Sequence, residues 1–239
     1  FNISELQTMF NNKSVVAIVP ARGGSKGIYK KNITLLNGKP LIEYTLDVAL
    51  KSSYIDEVIV STDDLEIEMI SKNIGAKIVK RPPAISTDSS LTLDTIKHVI
   101  KQVGFINDET IIILLQATSP LREQHHIKDS LEFFTNSCTS VVSVCESEHT
   151  PYKMYKIHNN KLVDFISEKW RGIPRQRVPK VYRENGSIYV TSAKNVMNNS
   201  LYGNNPRPYV MKSSFSIDID TKFDLKLAEL ALEIKITDV

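Results

Sequence analysis

Runs of consecutive apolar residues alternate along this chain with stretches whose apolar positions recur every three or four residues. Val15-Val16-Ala17-Ile18-Val19 is β-branched and too apolar for a half-exposed strand, so it predicts a strand covered on both faces. Leu41, Tyr44, Val48 and Ala49 fall at helical spacing. Val58-Ile59-Val60 predicts a second strand, Leu65 to Asn73 a helix stopped by Gly75, and Ala76 to Val79 a third strand. Asp88, Ser89 and Ser90 are placed to N-cap a helix carrying Leu93, Ile96, Ile100 and Val103. Ile111-Ile112-Ile113-Leu114-Leu115 is the next buried strand, and Glu123 to Thr135 the next helix. Buried strands alternating with amphipathic helices define an α/β class: a Rossmann-like, mostly parallel sheet flanked by helices, with right-handed crossovers.

Past Val144 the rhythm breaks. Residues 146–183 mix Pro, Lys, Arg and single aromatics around Trp170. They predict an excursion from the main sheet, with small strands suited to packing on a partner. Regular structure resumes at Ser187-Ile188-Tyr189-Val190. The last helix carries Phe223, Leu227, Leu230 and Ile234 behind a capping-box-like Thr221 and Asp224. Residues 1–12 form a short amphipathic lead-in, and 13–239 one domain that includes the excursion.

Composition narrows the class further. With 239 residues, 41% hydrophobic and 24% charged, the chain can bury a core of its own. No run approaches the ~20 apolar residues of a membrane span. A net charge of +3 is too balanced for a nucleic-acid coat. Two cysteines, Cys138 and Cys145, fit a reducing cytosol. The start, Phe1-Asn2-Ile3-Ser4-Glu5, lacks the basic and apolar regions of a signal peptide and an initiator Met, so a trimmed cytoplasmic chain is expected.

Ligands of open parallel sheets bind where strands lead into helices. The first such loop, from Ala21 to Asn32, is rich in glycine. Between Lys13 and Ile42 stand six basic residues and no acid. Glycines let backbone N–H groups approach an anion, and Arg and Lys neutralise it, which suits a polyphosphate; the alternative is a solvated basic loop. The spacing is neither a Walker A loop nor Gly-x-Gly-x-x-Gly. A second loop, Arg81 to Thr92, leads through a prolyl turn to a helix N-terminus that either grips a base, ribose or phosphate or is merely capped. Gln116 in Gln116-Ala117-Thr118-Ser119-Pro120-Leu121-Arg122 ends the most apolar strand, where an amide reads a ligand's hydrogen-bonding groups or simply opens a turn. In Ser216-Ile217-Asp218-Ile219-Asp220, alternation puts the two aspartates on one side, where a shared Mg²⁺ offsets their repulsion; otherwise Asp220 caps the last helix.

A second basic stretch runs from Lys169 through Arg171, Arg175, Arg177 and Lys180 to Arg183, a solvated face or a reader of an acidic substrate. His125 and His126 are adjacent at a helix start and are expected to point apart, without a role.

Together these segments resemble the CMP-sialic acid synthetases (N-acylneuraminate cytidylyltransferases) over nearly the whole chain, from about Ser14 to Lys235. The marks are the Ala21–Asn32 loop, Val60-Ser61-Thr62-Asp63, Arg81-Pro82, Leu115 to Arg122, Glu184-Asn185-Gly186-Ser187-Ile188-Tyr189 and Ser216 to Asp220. The resemblance implies attack of the anomeric 2-hydroxyl of an acidic nine-carbon sugar on the α-phosphorus of CTP. It implies Arg22 and Lys31 on the triphosphate, and Asn32, Arg81, Ser90, Thr92 and Gln116 around the nucleotide, Gln116 extending towards the sugar. Asp218 and Asp220 would hold Mg²⁺. Arg175 would act in sugar recognition or catalysis, with Lys153, Arg183 and Asn185 on the same side. The excursion would be the dimerisation element of a homodimer. Rival expectations are the same reaction on a legionaminic, pseudaminic or Kdo-type sugar, or a silent nucleotide-binding dimer lacking these cations and carboxylates. Neither nucleic acid nor membrane is expected as a partner.

Overall fold

The apolar run after Ser14 becomes β1 (Val15–Pro20), buried from Val15 to Val19. The structure, a computed structural model, describes residue 10 and residues 12–234; apart from Phe10 and Asn12, the predicted lead-in lies outside the described residues. A small ribbon of β2 (Leu35–Leu36) and β3 (Lys39–Pro40) leads into α1 (Leu41–Leu50). There follow β4 (Glu57–Thr62), α2 (Leu65–Ile74), β5 (Lys77–Lys80), α3 (Thr92–Gln102), β6 (Ile111–Leu115), α4 (Gln124–Phe133) and β7 (Ser140–Glu146). The hairpin of β8 (Tyr155–His158) and β9 (Lys161–Asp164) intervenes before β10 (Tyr182–Ser192), α5 (Ala193–Met197), β11 (Pro206–Val210) and α6 (Lys222–Glu233).

The main sheet has the order β11-β7-β10-β6-β1-β4-β5. β1 lies parallel between β4 and β6, with Ile18 opposite Ile59 on one side and Leu114 on the other. β5 and β11 add parallel to β4 and β7, and only β10 runs antiparallel to its neighbours β6 and β7. The strand period of two explains the layers. Val15, Ala17 and Val19 pack with Ile42 and Leu46 of α1, Ile67 of α2 and Ile127 of α4. Val16 and Ile18 face Ile96 and Val99 of α3 and Val196 of α5. Each fully buried Ile or Leu contributes about 1.5–3 kcal/mol relative to exposure, so β1 anchors both layers. Gly75 takes the predicted left-handed C-cap with φ 109° and returns its N–H to Lys72 O.

Several expectations are corrected. None of Asp88, Ser89 and Ser90 caps α3, which begins at Thr92 behind Leu91 without a side-chain cap. Ser90 instead closes a tight turn, its Oγ accepting from Thr87 N at 3.0 Å, and Asp88 turns towards the first loop. His125 and His126 do not point apart: their ring centroids lie 3.9 Å apart, because His126 folds back to accept a hydrogen bond from Glu123 N. The Thr221–Asp224 capping box is present, but Phe223, Leu227, Leu230 and Ile234 face outward. α6 packs instead through Ala228, against Ile28, Leu36 and Ile219. β7, α5 and β11 were not predicted. β11 contains Pro206 and Pro208, tolerated because it is an edge strand. Residues 216–220 make no strand ladder, although Ile219 donates to Thr118 O at 2.9 Å.

Candidate active site

β1, β4, β5 and β6 are parallel, so their carboxyl ends open on one edge of the sheet. The chain leaves β1 for β4 on one side and later returns to β6 on the other, which makes a crevice at this switch in direction. A cavity of about 430 Å³ lies there. Its floor is the first loop. Gly23 N donates to Asp63 Oδ1 at 3.0 Å, Lys31 N to Ser25 Oγ at 3.1 Å, and Asn32 Nδ2 to Arg22 O at 2.9 Å. Asn32 is buried, so it fixes the loop backbone as well as lining the cavity. A Cβ on Gly27 would stand 2.2 Å from Asp220 O, so the last part of the site closes on the loop only where there is no side chain.

The cations of this floor already hold carboxylates. Arg22 Nη2 meets Asp88 Oδ1 at 2.6 Å, Lys26 meets the other oxygen at 3.1 Å, and Lys31 Nζ meets Asp220 Oδ1 at 2.9 Å. Hydrogen bonds from Lys26 and then Arg22 hold the Asp88 carboxyl below its ordinary range. A polyphosphate would offer these cations more charge and more acceptor oxygens than the carboxylates do.

The walls carry the remaining nucleotide-side candidates, Arg81, Ser90, Thr92 and Gln116, all lining the cavity. Arg81 is buried and donates through Nη2 to Ser61 O at 2.6 Å, clamping the end of β4. Burial lowers its pKa to about 10, with Asp63 opposing and Arg22 reinforcing the shift.

Asp220 lines the same cavity, whereas Asp218 opens on an adjoining one of about 670 Å³ together with Arg183. Gly186, with φ +71°, joins the two, since a Cβ there would lie 3.4 Å from both Asp218 Oδ2 and Gln116 Oε1. Burial pushes the Asp218 carboxyl above its ordinary range, against a hydrogen bond from Thr118 and with the Asp220 charge adding to the shift. Its buried Oδ1 has no hydrogen-bond partner. An orphaned carboxylate oxygen beside a second carboxylate is a donor set that a hard cation satisfies. Among the described residues no three His, Cys, Asp or Glu side chains cluster, so such a cation would fill its shell largely with water or phosphate oxygens, as Mg²⁺ does.

Of the sugar-side candidates, Asn185 is buried and saturated. It donates to Ser216 Oγ at 2.8 Å and accepts from Ser143 Oγ at 2.6 Å and Ser187 N at 3.1 Å. It therefore shapes the turn that carries Gly186. Arg183 reaches Glu148 at 3.3 Å and Ser216 O at 3.4 Å. Arg175 and Lys153 sit exposed on one-turn helices, Arg175–Arg177 and Pro151–Lys153, and line neither cavity. Sequence reasoning gave Asp88 only a helix-capping role, and none to Thr95 or Thr118, which also line the first cavity, or to Arg122 behind it. The run of uncompensated cations was the available signal for Asp88.

The sequence pattern of the Cytidylyltransferase family matches residues 16–234. The chain is 33% identical over 214 residues to the N-acylneuraminate cytidylyltransferase of Streptococcus agalactiae, covering 87% of this chain and 51% of that protein. It is 36% identical to that of Oncorhynchus mykiss, covering 91% and 50%. The chain thus spans about half the length of these curated relatives. It is also 35% identical to the CMP-N,N'-diacetyllegionaminic acid synthase of Legionella pneumophila, covering 92% of this chain and 97% of that one. In fold it is similar to a CMP:2-keto-3-deoxy-manno-octonic acid synthetase solved with CTP, at TM-score 0.70 and 18% identity over 94% of this chain and 100% of that chain. This chain, with its cation-lined crevice at the carboxyl ends of a mostly parallel sheet, belongs to the cytidylyltransferase family.

Proposed function

We propose that this chain transfers a cytidylyl group from CTP to the anomeric 2-hydroxyl of a nonulosonic acid, giving a CMP-sugar and pyrophosphate. The observation that carries this reading is one crevice in which Arg22, Lys26 and Lys31 on a glycine loop stand beside Asp220, with Asp218 on the adjoining cavity. The sugar hydroxyl gives up its proton to water as its oxygen forms the new bond to the α-phosphorus, the α–β anhydride bond breaks, and the pyrophosphate leaves with the electron pair. Arg22, Lys26 and Lys31 bind the triphosphate and stabilise the charge that grows on the leaving group. Arg81, Ser90, Thr92 and Gln116 orient the nucleotide, and Gln116 beside Gly186 marks where the sugar meets it. Asp218 and Asp220 would hold Mg²⁺, which would supply further charge neutralisation when bound. Arg175, Arg183 and Lys153 serve the acidic sugar, Asn185 acts through its turn, and the enzyme works as a cytosolic homodimer.

A second reading, with a legionaminic-type sugar as acceptor, is favoured by the Legionella pneumophila relative, which this chain matches over nearly its full length. Pyrophosphate release, measured over four nucleoside triphosphates and a panel of nonulosonic acids, tests both. Release is expected only with CTP, Mg²⁺ and a keto-acid sugar together, and the preferred sugar separates the two readings. Release with UTP but not CTP, or with no sugar of the panel, would sink the assignment.

A further inference from the structure

Arg122 follows the Gln116 loop and is only 2% exposed, yet no carboxylate is among its hydrogen-bond partners. Its Nη2 donates to Gln116 O at 2.7 Å and Ser187 O at 2.9 Å; its Nε lies 3.1 Å from Ser187 Oγ and 3.2 Å from Ser187 O. Nη1 donates to Thr45 Oγ1 at 3.1 Å, and the same hydroxyl donates to Gln116 O at 3.2 Å. One guanidinium thus gathers α1, the end of β6 and β10 into a closed network. Its two main acceptors belong to Gln116, which lines the nucleotide cavity, and to Ser187, the neighbour of Gly186. Burial alone lowers its pKa to about 9, so the charge is retained at neutral pH although no acid among the described residues compensates it. A buried charge without a counter-ion is costly to fold and needs another reason to be there.

We propose that Arg122 is a positioning residue: by tying the carbonyl of Gln116 to that of Ser187, it sets the spacing between the nucleotide wall and the Gly186 turn, where the two reactants must meet. Arg is required because its planar fork reaches several acceptors in fixed directions, which the point charge of Lys cannot do. The inference rests on the proposed cytidylyl transfer. CTP itself is held chiefly by the first loop, which Arg122 does not touch, so binding and turnover should separate.

The test compares Arg122→Lys, Arg122→Met and Thr45→Val with the wild type, each normalised to folded protein by thermal unfolding and near-UV circular dichroism. CTP affinity is read by calorimetry, and turnover by pyrophosphate release. A displacement of about 1 Å can cost on the order of 100-fold in rate, so kcat of Arg122→Lys should fall by about 10- to 100-fold while its Kd for CTP changes less than about threefold. Thr45→Val should show the same split more weakly, and it keeps the test open if Arg122→Met does not fold. Unchanged kcat per folded molecule in Arg122→Lys and Thr45→Val would overturn the proposal, as would a parallel loss of CTP binding. Wild-type protein that binds CTP but turns over no sugar would defeat the cytidylyl-transfer reading instead.

Discussion

At Asp218 one residue joins a stability cost to the proposed role in holding a cation. Its pKa in the fold lies above the unfolded value, so its contribution favours the fold below the unfolded carboxyl pKa and is lost as pH rises through the folded one. Once ionised, it strains the fold unless a cation binds its orphaned oxygen. Asp218→Asn should therefore raise the Tm measured without metal, by roughly 2–4 °C for each kcal/mol relieved, while abolishing stabilisation by Mg²⁺. Acidification through the raised pKa should likewise weaken Mg²⁺ binding by the wild type, starting above the usual carboxylate range. Calorimetric metal titrations at stepped pH check this, and pH-independent affinity would remove Asp218 from the site. Asp88 is the opposite kind of acid. It occupies Arg22 and Lys26 where the triphosphate should sit, but its pairs are exposed, so Asp88→Asn should tighten CTP binding by no more than about fivefold at low salt. Weaker CTP binding in that variant would mean that Asp88 holds the loop in its binding shape.

At the scale of elements, α4 carries a pH switch in its stability. Burial first, then the neighbouring His125 and Arg122, lowers the pKa of His126 to about 3. The fold keeps this imidazole neutral, whereas the unfolded chain protonates it near 6.5. Its stabilisation is complete above about pH 6.5 and disappears as pH falls towards 3, with a slope of at most about 1.4 kcal/mol per pH unit. His126→Gln preserves an acceptor for Glu123 N and should flatten this slope in urea titrations at successive pH values. How much of an element was legible followed from which force made it. The apolar runs of β1 and β6 read as doubly covered strands because burial on both faces leaves no other pattern. Gly75 read as a stop because left-handed backbone selects glycine. β11 was illegible because its two prolines forbid a central strand, and only its place at the sheet edge admits them. The turn from Thr87 to Ser90 has the composition of a helix cap, and only the cations of a loop far off in sequence draw Asp88 away. The cations and carboxylates of the crevice were legible as charge anomalies, but Arg122 was not, because its partners are backbone carbonyls that leave no trace in composition.

For the whole molecule, the unresolved balance is apolar surface. The β8–β9 hairpin stands outside the main sheet, with Ile157 78% exposed and Leu162, Val163, Phe165 and Ile166 also open. Its internal support is local: Phe165 N to Met154 O at 2.9 Å, Lys156 over the Phe165 ring, and Tyr152 against Trp170. A two-stranded hairpin with no third strand or helix is marginal in water, so this one needs a surface to cover it. The outward stripe of α6, with Phe223 76% exposed, leaves a second apolar face on the same chain. A homodimer that buries the hairpin answers the first need, and it would carry the basic residues beside it, Lys153 and Arg175, towards a second copy. Ile157→Glu combined with Leu162→Glu should then halve the mass seen by analytical ultracentrifugation and leave the hairpin amides exchanging rapidly. The KM for the sugar should rise in that variant while CTP affinity, assigned by the proposed function to the loop after β1, stays near wild type. A wild-type monomer whose hairpin amides are nevertheless protected would show that the hairpin is stable alone, and the dimer would have no physical cause left.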